Sequence, residues 1–129
     1  MSHGSRVHIE RIFTQKDFDR FAALSGDDNP IHVDAEFSAR TRFGRPVAHG
    51  LLLCSVLRGV LESLLPGGKL LEQSVMFPAP TYAGEPMRFE VSLTNLDDDE
   101  PEATQACQLE VKRISDGVVT CQGDARVLV

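Results

Sequence analysis

Residues 25–32, Ser-Gly-Asp-Asp-Asn-Pro-Ile-His, put two carboxylates and an imidazole into one short stretch. Asp27 and His32 lie five positions apart, and Pro30 stiffens the chain between them. A carboxylate and an imidazole held together can grip one water. One takes a proton from it, and the other handles a second proton on a neighbouring atom. That suits adding water across a double bond or removing it, and each positioned acid or base is worth roughly 10²–10⁴ in rate. Gly, Asp, Asn and Pro are also plain turn formers, and a lone histidine is often only packed. These residues alone leave a structural turn as open as an acid/base site.

A second group lies at His49-Gly50, just before a long apolar run. The first N–H groups of a helix have no internal partner and carry partial positive charge. They can hold a thioester carbonyl oxygen and stabilise the enolate formed during hydration, and losing one such donor costs about 2.7–4 kcal/mol of barrier. Glycine at position 50 lets a ligand approach the backbone closely. The alternative is that Gly50 only makes a tight turn into the helix. His49 is read as setting that turn rather than as a chemical group.

These groups need a scaffold. Residues 7–13 alternate apolar and polar like a half-buried strand. Thr14 and Asp17 have the spacing of a helix cap, Phe18, Phe21, Ala22 and Leu24 that of a helix, and Gly26 is its natural stop. Asp-Asp-Asn-Pro reads as a turn, and residues 33–44 as a short helix running into a polar loop. The run from Gly50 to Gly68 is apolar on nearly every side, which predicts a buried helix ended by Pro66-Gly67-Gly68. A strand over 69–77 ends at Pro78 and Pro80. Three strands of period two follow, with Met87, Phe89, Val91 and Leu93, then Cys107, Leu109 and Val111, then Val119, Cys121, Ala125, Val127 and Val129 turned inward. The acidic run Asp97–Glu100 reads as a solvated hairpin tip. The predicted class is α+β, a curved antiparallel sheet around one long central helix.

The chain of 129 residues is read as one domain, residues 1–129, with residues 1–5 as a disordered start or tag remnant. A net charge of −6 without a basic stripe sets nucleic-acid binding aside. Three cysteines, Cys54, Cys107 and Cys121, are an odd number without a C-x-x-C pair, against a disulfide framework or a zinc site. Free thiols point to a reducing, cytoplasmic compartment. No apolar run is long enough to span a bilayer.

Residues 21–39, FAALSGDDNPIHVDAEFSA, match the hydratase motif of the MaoC-like (R)-specific enoyl-CoA hydratases, and RPVAHGLLLCSVLRGVL, residues 45–61, resembles the segment that follows it there. The likeness runs from about Phe13 to Met87. It implies the hot dog fold and the reversible hydration of trans-2-enoyl-CoA to (R)-3-hydroxyacyl-CoA. It places the catalytic aspartate on Asp27 and the catalytic histidine on His32. Asn29 then supports the water and the turn, and the Gly50 N–H meets the thioester oxygen. No metal or other cofactor is implied, coenzyme A or phosphopantetheine being part of the substrate. Arg40, Arg42, Arg45 and Lys69 are candidates for the phosphates of that handle, and Leu52, Leu53, Val75 and Phe77 for the acyl chain. An acyl carrier protein is a possible partner. An exposed sheet edge and a shallow site in one subunit predict a homodimer. The rival readings are a (3R)-hydroxyacyl-acyl carrier protein dehydratase using the same residues, a thioesterase with Glu62 as its acid, and a non-catalytic acyl-thioester binding module.

Overall fold

A computed structural model describes residues 5–94 and 103–129. The acidic run Asp97–Glu100 and most of the expected disordered start lie outside the described residues. The elements in chain order are β1 (Arg6–Ile12), α1 (Gln15–Ser25), α2 (Pro30–Val33), α3 (Ala35–Ala39), α4 (Gly50–Leu64), β2 (Lys69–Met76), β3 (Pro86–Thr94), β4 (Thr104–Arg113) and β5 (Val119–Leu128). The strands form one antiparallel sheet in the order β1-β3-β4-β5-β2. Helix α4 lies against β1 and β3. This is the hot dog arrangement.

Period two does what it predicted along the central strands. Met87, Phe89, Val91, Leu109, Val111 and Cys121 are fully buried and meet Leu53, Leu57, Val60 and Leu61 of α4 in one core. Leu93 is only partly buried, and Val129, expected inward, is 59% exposed because it lies past the end of β5. The central helix also differs from expectation. Its buried residues Leu53, Leu57, Val60 and Leu61 follow one stripe, while Leu51 is 70% exposed and Ser55 and Gly59 face outward. A single sheet covers one side of a helix, so an all-round apolar sequence still leaves one face uncovered.

Thr14 caps α1 as its spacing suggested: its hydroxyl accepts the Asp17 N–H, and the Asp17 carboxylate accepts the Thr14 N–H at 2.8 Å. The expected turn at Asp-Asp-Asn-Pro continues directly into a single helical turn, α2, which carries His32. Pro30 sits in its first turn, where a missing N–H costs nothing. In β5 the register on β4 slips between Val111↔Cys121 and Lys112↔Val119, so Thr120 is an extra residue at a bulge. Both Thr120 and Cys121 are consequently buried.

Candidate active site

The end of α1 sets the first group. Gly26 takes a left-handed φ of 82°, and its N–H reaches Ala22 O. The chain leaves the helix sharply, with the Asp27 N–H held by the Ser25 hydroxyl at 3.1 Å. Two residues on, the Asn29 side chain accepts the Ile31 N–H at 3.1 Å and so starts α2. Gln15 of α1 donates to His32 O at 2.9 Å and ties the two helices together.

His32 is buried, and its Nδ1 lies 2.8 Å from Val47 O. A carbonyl oxygen only accepts, so Nδ1 carries a proton, and in the neutral form of the ring Nε2 is the bare nitrogen. That nitrogen lies 3.8 Å from Asp27 Oδ2, whose side chain is 54% exposed. Two acceptors at that separation do not bond each other directly. They suit a water that donates one O–H to each.

His49 completes the group. Its ring stacks on His32 with centroids 3.8 Å apart and planes 21° apart, and its Nε2 lies 2.9 Å from Asp27 O. Burial pushes its pKa below the ordinary histidine value, against the raising effect of the Asp27 carbonyl, and the nearby His32 lowers it further. Donor atoms of Asp27, His32 and His49 all lie within 4.8 Å of one another. Stacked rings nonetheless direct their lone pairs along nearly parallel planes, so one ion cannot sit in both, and the set does not fit a tetrahedral metal centre.

His32 and Gly50 both line a cavity of about 650 Å³, together with Leu53, Phe77, Tyr82 and Thr120. Among the described residues no side chain caps the start of α4, and the first N–H there to reach a carbonyl is that of Leu52, on His49 O at 3.1 Å. The Gly50 N–H has no acceptor among the described residues. A Cβ at Gly50 would lie 2.7 Å from the Phe77 ring, so glycine is what lets that ring close over the helix start.

The other predicted groups divide. Arg42 lines the cavity. Arg45 is not a lining residue but pairs with Glu85 at 3.2 Å and stacks on the lining residue Tyr82. Arg40 and Lys69 are not among the lining residues. Leu53 and Phe77 line the cavity, whereas Leu52 and Val75 border other surface grooves. Glu62, the acid a thioesterase would need, accepts the Gly67 N–H at 2.7 Å at the far end of α4, and its twelve-residue separation from Gly50 spans about 18 Å of helix. All three cysteines are free, and burial pushes the Cys121 thiol up to about 12, which makes it an inert packing group.

Sequence reasoning missed Thr81 and Thr120. Both are buried at the cavity, with hydroxyls that have no hydrogen-bond partner among the described residues. Strict alternation sends Thr120 outward; only the bulge turns it in, and no composition signal marks the bulge. Tyr82, whose hydroxyl donates to Phe43 O at 2.8 Å, pins the loop over the cavity. Being the only tyrosine in the chain was its one visible signal.

Residues 3–116 match the MaoC like domain. The chain belongs to that family. It is 42% identical over 103 residues to an (R)-specific enoyl-CoA hydratase of Aeromonas caviae, covering 78% of this chain and 77% of the relative. It is 30% identical over 131 residues to an (R)-specific enoyl-CoA hydratase of Rhodospirillum rubrum, covering 100% of this chain and 88% of the relative. Among solved structures, the (R)-hydratase from A. caviae involved in PHA biosynthesis superposes with a TM-score of 0.87 at 33% identity, covering 100% of this chain and 97% of that one. Among the described residues no helix is long and apolar enough to cross a membrane.

Proposed function

We propose that this MaoC-like protein is an (R)-specific enoyl-CoA hydratase, a hydro-lyase that adds water reversibly to trans-2-enoyl-CoA to give (R)-3-hydroxyacyl-CoA. The observation that carries the reading is the approach of His32 Nε2 to the Asp27 carboxylate at 3.8 Å, beside the start of α4, which no side chain caps among the described residues. Water held by the pair attacks Cβ as one of its protons passes to the pair. The π electrons move through Cα to the thioester oxygen, which the Gly50 N–H receives. Collapse of that enolate takes a proton back from the pair at Cα, so the sum is one H–O–H across the double bond. The two steps draw on one coupled pair, and its protons belong to both groups. The thioester acidifies Cα by itself, so the reading needs neither metal nor redox cofactor.

Asn29 supports the water by starting the helical turn that carries His32. Arg42, at the cavity wall, is the proposed contact for the phosphates of coenzyme A. We place the protein in the cytoplasm, as a homodimer. β2 is an outer strand of the sheet, and it and the residue after it leave Leu71 48%, Met76 56% and Phe77 46% exposed, the last of these at the cavity wall.

The test is loss of enoyl absorbance with crotonyl-CoA and a longer enoyl-CoA, followed by chiral analysis of the product. Turnover to the (R) alcohol is expected. Turnover of an enoyl-acyl carrier protein with both CoA esters inert would favour the carrier-protein dehydratase instead, and inertness toward all three would sink the enzyme reading.

A further inference from the structure

Reading the site as an Asp27–His32 hydratase leaves one buried ionisable group beside it without a task. His49 is 2% exposed, in the N-cap position of α4, yet its side chain makes no cap hydrogen bond. Its ring is spent elsewhere. Nε2 lies 2.9 Å from the main-chain oxygen of Asp27, twenty-two residues back in the chain. One ring face lies on His32 at 3.8 Å, and Phe21 packs against it at 4.9 Å. Nδ1 is buried and has no partner among the described residues.

Those contacts determine the tautomer. The Asp27 carbonyl only accepts, so Nε2 of His49 must carry the proton. A second proton, on Nδ1, would be a buried donor with no acceptor, which is costly. His49 is therefore a neutral donor, and His32 is the opposite tautomer, with its proton on Nδ1. The two stacked rings thus hold the two halves of the pair in place. One bond from His49 fixes the main chain of exposed Asp27, and its ring face fixes the plane of His32. Without it, Asp27 hangs on the Ser25 hydroxyl at its own N–H and on little else.

We propose that His49 is a positioning residue that sets the Asp27–His32 separation through its Nε2–H bond to the Asp27 carbonyl and its stack on His32. It touches no reacting atom, and the proposal rests on the hydratase reading above.

The variants separate the bond from mere bulk. His49→Gln carries an amide N–H near the place of Nε2, whereas the shorter amide of His49→Asn cannot reach the Asp27 carbonyl. With crotonyl-CoA, His49→Asn is expected to lower kcat by about 10²-fold, the usual cost of a misplaced reacting group, with KM little changed. His49→Gln is expected to recover most of that loss, both variants unfolding cooperatively on heating. Equal kcat in the two variants, or a change carried by KM alone, would overturn the proposal. A second readout needs no turnover. With ¹⁵N-labelled histidine, NMR of the wild type should show His49 with its proton on Nε2 and His32 with its proton on Nδ1, and His49→Asn, which leaves the Val47 carbonyl in place, should broaden the His32 ring signals as the ring loses its fixed plane. A His32 signal unchanged by His49→Asn would overturn the positioning claim. Inertness of the wild type toward enoyl thioesters sinks the hydratase reading alone and leaves the His32 line shape to decide this one.

Discussion

The two ends of helix α4 are built to opposite plans. At its C-terminus the chain seals itself: the Leu65 N–H returns to Leu61 O at 2.8 Å, Glu62 accepts the Gly67 N–H, and Arg58 reaches both Glu62 and Gly68 O at 3.5 Å. At its N-terminus the capping position holds a histidine whose ring turns away to Asp27, and the Gly50 N–H is left with no acceptor among the described residues. Uncapped starts cost a helix about 0.5–2 kcal/mol. The protein accepts that cost at the end that opens on the cavity and not at the end that faces solvent. The proposed function gives the free donor at Gly50 a use, as the contact for the thioester oxygen.

Breaking the open end should matter most. Asp27→Asn or His32→Ala should each lower kcat for crotonyl-CoA by about 10²–10⁴-fold without loss of cooperative unfolding, as measured by enoyl absorbance and circular dichroism. Gly50→Ala comes next. Alanine favours a helix, but its Cβ would stand 2.7 Å from the Phe77 ring. The displaced ring should crowd the thioester site and reduce turnover by roughly 10-fold or more, and adding Phe77→Ala should recover part of it.

The sealed end supplies the contrast. Glu62→Ala removes the bond to the Gly67 N–H and should cost at most about 1 kcal/mol in urea unfolding, because the carboxylate is half exposed. Its kcat should stay at the wild-type value. The smallest effect concerns pH. The folded state holds His49 below the ordinary value of 6.5, chiefly by burial. The unfolded chain then binds more protons as pH falls through that value, so this contribution to stability is present above it and is lost below it. The melting temperature should fall between pH 7.5 and 5.5, and fall less in His49→Gln.

Much of this was legible in the residues. Thr14, Asp17 and Gly26 mark α1 by chemistry that acts within a few residues, and period two marks the central strands because one face is buried. Asp27, His32 and Gly50 were legible because a short turn and a helix start are local features. What escaped depends on distant contacts. Thr120 turns inward only because β5 bulges against β4, and Phe77 covers Gly50 only because β2 ends there. The stack of His49 on His32 joins segments seventeen residues apart, and no spacing rule announces it. The exposed face of α4 was misjudged for the related reason that hydropathy reports what a helix can bury, not what stands beside it.

In the proposed reaction one pair, on one side of the substrate, both delivers the water and supplies the proton at Cα. Hydration of crotonyl-CoA in D₂O tests it directly, with the relative configuration at C2 and C3 of the 3-hydroxybutyryl product read by proton NMR. Deuterium and hydroxyl should be added to the same face. Addition to opposite faces would contradict it, because Asp27 and His32, 3.8 Å apart, cannot reach both sides of one double bond.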